Sequence, residues 1–170
     1  MWCRAYLAAA FALLMIACQP VFAEEKEKTS TDVAIAFWNA FLMADADEMG
    51  RHYAPRVTLK AGSELLKPEY TINDGGQRAN DLTVDRKTVI RGYRVMFGKV
   101  GKDKWIESAK KLHNVQLSYI SASDNNKYFA MFKASPGELL VQVHTDPEPL
   151  FFLLQQDEHH HWVVVAEAFD

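Results

Sequence analysis

From Pro149 to Asp170 the chain reads PLFFLLQQDEHHHWVVVAEAFD, two dense apolar runs separated by a polar tip at Asp157–His161. That pattern predicts a β-hairpin. A hairpin is not stable alone in water, so the remainder of the chain has to cover at least one of its faces. Further upstream the periodicity is helical. Val33, Phe37, Ala40, Phe41 and Ala44 share one face, and Ile35, Trp38 and Leu42 share its neighbour. A helix apolar over so much of its surface is expected to lie across a concave sheet rather than on the outside. Ser30 or Thr31 can cap it, with Asp32 in the first turn.

Asp45 or Asp47 caps a short second helix through Met49 to Tyr53, closed by Pro55. A strand is expected at Arg56–Ala61. Residues 62–81, with the turn signal Asn73-Asp74-Gly75-Gly76, form an irregular hairpin or flap. A third helix starts near Thr83 or Asp85, buries Val89, Tyr93, Met96 and Phe97, and ends at Gly98 or Gly101. Another helical turn follows around Trp105. From Leu112 the period becomes two. Strands are expected around Val115–Tyr119, Tyr128–Lys133 and Leu139–His144, ahead of the closing hairpin. Helices gathered early and strands late define an α+β domain, with about three N-terminal helices on one face of a curved antiparallel sheet.

The start of the chain is different. Met1 to Ala23 has a basic Arg4, a short apolar run and Val21-Phe22-Ala23 before Glu24, which is the pattern of a secretory signal. The expected organisation is a signal peptide at 1–23, a charged linker at 24–30 and one domain at 31–170. Met15-Ile16-Ala17-Cys18 offers an alternative, a lipoprotein cleavage box that would leave Cys18 lipidated and the body tethered to a membrane. Otherwise the product is free, periplasmic or secreted. Both cysteines, Cys3 and Cys18, precede Ala23, so the body has no disulfide.

Composition adds three constraints. The 170 residues, 49% hydrophobic, suffice for one domain with a real core. A formal net charge of -3 points to no nucleic-acid role. Charge is uneven, however: residues 86–111 carry nine basic and two acidic residues, and 112–170 carry two basic and eight acidic. That asymmetry could serve an acidic partner, anionic lipid or a second copy.

The segment Phe37-Trp38-Asn39-Ala40-Phe41 with Asp45-Ala46-Asp47, then His52-Tyr53-Ala54-Pro55-Arg56-Val57, and the ending Trp162-Val163-Val164-Val165 with Phe169-Asp170, resemble the nuclear transport factor 2-like superfamily, which includes SnoaL-like, polyketide-cyclase-like proteins. The resemblance covers about residues 31–170. It implies a cone-shaped half-barrel whose helices close over a deep apolar pocket. It also implies a range of roles, from isomerases, dehydratases and cyclases to binding and interaction domains without catalysis. Ketosteroid-isomerase-like members use a helix-one Tyr and carboxylic acids in the pocket; here helix one carries Trp38 and no Tyr, and the apolar strand faces carry no Asp.

Candidate pocket-lining residues are Trp38, Tyr53, Tyr93 and Tyr119, each an apolar body with a polar handle. Plain core packing is the competing role for each. His113 shares the apolar parity of Val115, Leu117 and Tyr119 and is the candidate acid or base, with a backbone-bonded strand-end histidine as the plainer alternative. His159-His160-His161 is read as a solvated tip rather than a metal site, since adjacent strand residues point in opposite directions. No metal and no cofactor is expected. The sequence thus points to an exported domain that binds a small apolar molecule or a protein partner, homodimerisation included. An isomerase, dehydratase or cyclase acting on a small hydrophobic substrate is the alternative.

Overall fold

The computed structural model describes residues 28–61, 63–70, 81–112, 115–121, 124, 127–145 and 149–169. The expected signal segment with Cys18, most of the expected flap at 62–81, and His113 fall outside these residues.

Helix α1 (Ser30–Leu42) begins one residue earlier than expected, at the N-cap Thr29. Thr29 Oγ1 accepts from the Asp32 N–H at 3.2 Å, and the Asp32 carboxylate accepts from the Thr29 N–H at 2.9 Å, a reciprocal capping box. Asp45 caps α2 (Ala46–His52) by accepting from the Glu48 N–H at 2.9 Å. Strand β1 (Tyr53–Leu59) follows at once. Two 3-10 turns (Glu64–Leu66 and Pro68–Tyr70) and a short strand β2 (Leu82–Asp85) lead to α3 (Arg86–Val100). Gly101, at φ +86°, ends α3 in the left-handed region that glycine enters without cost. Then come α4 (Lys102–Ala109), a 3-10 turn at Lys110–Leu112, β3 (Leu117–Ile120), α5 (Lys127–Met131), β4 (Leu139–Val143), β5 (Leu150–Gln156) and β6 (Trp162–Ala168).

The fold is α+β, as expected. The six strands form one sheet in the order β2-β1-β6-β5-β4-β3. Every pairing is antiparallel except β1 with β6, which is parallel, and the sheet is therefore mixed. Its helix-facing side joins Val57, Leu59, Val141, Val143, Phe152, Leu154 and Val164 to Phe37 and Phe41 of α1 and to Tyr93 and Phe97 of α3. Phe37 sits at the centre, 4.9 Å from the Phe152 ring and 5.1 Å from the Tyr53 ring. Gly50 of α2 makes the close approach to α3, since a Cβ there would collide with the Ile90 side chain.

One element departs from expectation. The segment Tyr128–Lys133, expected as a strand, is instead helix α5 and the turn after it, and Phe129 and Phe132 pack on the outer face of the sheet against Ile120, Leu140, Phe151 and Leu153. The physical reason is β5. Four consecutive residues, Phe151 to Leu154, are buried, so both faces of this strand need cover. A short helix with rings at adjacent turns covers the outer face as a further strand could not.

Strand β6 carries a bulge. Leu153 pairs with Ala166 and Leu154 with Val164, so Val165 is the extra residue. Val164 faces the helices, Ala166 faces outward, and the parity of everything after the bulge is reversed. Glu167 and Phe169 consequently point into the helix-side core.

Candidate functional site

The bulge places a carboxyl group at the centre of the domain. Glu167 pairs across the sheet with Phe152 on one side and Leu59 on the other, and none of it is exposed. Two phenols meet it. Tyr53, at the α2–β1 junction, donates its O–H to Oε2, and Tyr93 of α3 donates to Oε1 at 2.8 Å. Both tyrosines are 1% exposed. No cation pairs with Glu167 among the described residues.

The electrostatics follow from that enclosure. Burial pushes the Glu167 carboxyl up to about 7, against the pull of the two tyrosine hydrogen bonds, which favour the ionised form. Burial, followed by the neighbouring Glu167 charge, raises both tyrosines well above their ordinary range, so both stay protonated and donate to the carboxyl group. The three groups form a closed set. Both carboxyl oxygens have a partner, and the two hydroxyls adjoin each other.

Beside this set, at the open end between α1, α3 and the 3-10 turns, lies a cavity of about 250 Å³. Its walls include Phe41, Tyr93, Met96, Trp105 and Phe169, with Glu64 and Tyr70 as polar exceptions. Trp105 is fixed by an N–H donated from Nε1 to the Phe41 carbonyl at 2.9 Å, which also satisfies a carbonyl at the α1 C-terminus. Lys99 ties the second 3-10 turn to α3, donating to the Glu69 carbonyl at 2.7 Å with its ammonium 5.1 Å from the Tyr70 ring centroid.

The residues singled out by sequence are dispersed. Tyr93 lines this cavity and reaches Glu167. Tyr53 lies on the far side of Glu167 and lines a separate, larger cavity. Trp38 is 4% exposed, stacked on Phe41 with centroids 5.1 Å apart, and lines neither cavity. Tyr119 is on the helix-facing side of the sheet, opposite Val141, but edge strand β3 leaves it 36% exposed and away from both cavities. The three histidines occupy an exposed hairpin tip, where Asp157 Oδ1 accepts the backbone N–H groups of His159 and His161 at 2.9 Å each. Sequence patterning does not single out Glu167. Its one signal is that of a lone acid in an apolar run, Val163 to Phe169.

No protein-family model matches the chain, and no curated protein sequence is significantly similar to it. Among solved structures, a DUF4783 family protein from Bacteroides ovatus is similar over 78% of this chain and 89% of its own, with 10% identity and a TM-score of 0.44. A protein from Thiobacillus denitrificans named for a calcium/calmodulin-dependent protein kinase type II association domain is similar over 85% of this chain and 96% of its own, with 14% identity and a TM-score of 0.43.

Proposed function

We infer that this chain is an exported, nuclear transport factor 2-like domain that takes a small, mainly apolar molecule into the cavity at the open end of the sheet. One observation carries the reading: an aromatic-walled space of about 250 Å³ whose wall residue Tyr93 is locked by a buried carboxylate. Glu167 acts as a buttress in this reading. Both its oxygens are taken and it lies behind the cavity wall rather than in it, so Tyr93 is held in place before a ligand arrives.

A second reading, proton transfer of the isomerase kind, has one observation in its favour, an acid that titrates near neutral pH and is hydrogen-bonded to a wall tyrosine. Burial of the whole triad favours the binding role, because a catalytic carboxyl has to reach the reacting atom.

Native mass spectrometry of the protein from its own envelope tests the binding role. A co-purifying mass that is released on denaturation and lost in Val100→Trp, which fills the cavity from an exposed wall position, is the expected result. A bare chain in both samples would reject it. The same spectrum reads the leader: a start at Glu24 means a free exported domain, and a diacylglyceryl mass on Cys18 means a tethered one.

A further inference from the structure

The larger cavity, about 520 Å³, lies where α2 meets β1 and where β6 leaves the hairpin tip. It is chemically unlike the mouth cavity. Lys28, Arg51 and Arg86 line it together with His52 and His161; Glu48 and Asp157 are its acids. One oxygen of each acid is engaged, while Glu48 Oε1 faces His52 and Asp157 Oδ2 lies 3.9 Å from His161 Nδ1. Glu48 holds Arg51 at 2.7 Å, and Asp157 Oδ1 accepts two backbone N–H groups. Arg86 is different. Its one described contact is Nη1 donating to the Tyr53 carbonyl at 3.3 Å, and among the described residues it has no carboxylate partner. The rest of its guanidinium fork remains open to a planar anion.

His52 supplies the second observation. It is 6% exposed, lines the cavity, and its Nε2 has no hydrogen-bond partner although Glu48 Oε1 is 3.4 Å away. A buried, unsatisfied ring nitrogen in a native domain calls for a missing partner. Burial lowers the pKa of His52, so it meets a ligand as a neutral imidazole able to offer one N–H. Trp162 and Pro55 add a flat apolar wall.

We propose that this cavity is a second binding site, taking a small molecule with an anionic end, carboxylate or phosphate, seated at Arg86 and His52 and a flat apolar body against Trp162. The site is independent of the mouth cavity.

Calorimetric titration of the purified protein with phenylacetate, phenyl phosphate and the neutral phenylacetamide tests it. At least one of the two anions should bind tenfold or more tightly than the amide, and which one does so identifies the charged end. Arg86→Gln should weaken that anion at least tenfold. Lys28→Gln, an exposed change that leaves the fold intact, should weaken it less and reduce its salt dependence. Val100→Trp should leave anion binding unchanged, which separates this site from the mouth cavity. The indole N–H resonance of Trp162 should shift on titration. Absence of binding, equal binding of amide and anions, or wild-type affinity in both charge variants would overturn the proposal.

Discussion

Replacing Glu167 with Gln should make the protein more stable at pH 8 and change it little at pH 5. In the folded protein the carboxyl titrates at about 7, and in the unfolded chain near the ordinary 4.5. A carboxyl raised on folding binds more protons in the native state than in the unfolded one between these values. Stability therefore falls as pH rises through that window: the contribution is fully present below 4.5 and lost above about 7. At about 1.4 kcal/mol per pH unit, the wild type should lose about 2–3 kcal/mol between pH 5 and pH 8 through this group alone. Full burial of Glu167 means solvent screening does not reduce that figure. The glutamine side chain has nearly the same shape and no charge. Its carbonyl can accept from one tyrosine while its amide donates to the other, whose O–H then turns to its neighbour. Urea unfolding of both proteins at pH 5, 6, 7 and 8 checks the argument, because other titrating groups cancel in the difference. Asp81, held below the usual range despite its partial burial by hydrogen bonds from Lys60 and the Ala61 N–H, loses its contribution only at lower pH, outside this window. A wild-type minus variant difference that stays constant from pH 5 to pH 8 would refute the reasoning.

Tyr53→Phe removes one of the two donors to Glu167 and should cost about 1–3 kcal/mol, with the carboxyl titrating still higher, as NMR of a labelled Glu would show. Phe152→Ala empties the centre of the core, where Phe152 is fully buried against Phe37, and should cost about 3–5 kcal/mol in chemical denaturation. Gly50→Ala should lower the thermal midpoint, with a cost of about 1–3 kcal/mol, and Ile90→Ala in the same chain should recover part of the loss by vacating the space the new Cβ needs.

The helices were legible because their apolar residues recur at helical spacing and capping residues stand at their starts: Asp45 and Asp85 cap as read, while the first cap falls at Thr29, one residue before the expected Ser30 or Thr31. The closing hairpin was legible from its two dense apolar runs on either side of a polar tip. Three things were not. The run around Tyr128 and Phe129 is short and apolar, and periodicity cannot separate a short helix from a strand there. Tyr119 has the right parity, but parity does not say that β3 is an edge strand beyond the reach of the helices. Glu167 was hidden by the bulge at Val165. Strict alternation from Trp162 and Val164 sends residue 167 to the outer face, and a bulge is set by pairing partners far away in the chain.

Strand β6 stands between β1 and β5, and among the described strands it alone pairs with both the β1–β2 pair and the β3–β4–β5 group. Tyr53 and Glu167 are 114 positions apart in the chain. This imposes an order on folding. The β5–β6 hairpin and the β1–β2 pair are local and can form within microseconds, but neither is stable by itself. The parallel seam between them has the long loop to close, so it is the slow and committing event, and the acid is dehydrated only when that seam shuts. The unfolded chain carries Glu167 charged already above about 4.5, but below about 7 the acid takes up a proton as the seam shuts, whereas above it the seam closes around an ion. Refolding at pH 5 should accordingly be faster than at pH 8 in the wild type, with little difference in Glu167→Gln, if the seam is already formed in the transition state, and stopped-flow measurements at both pH values would report it.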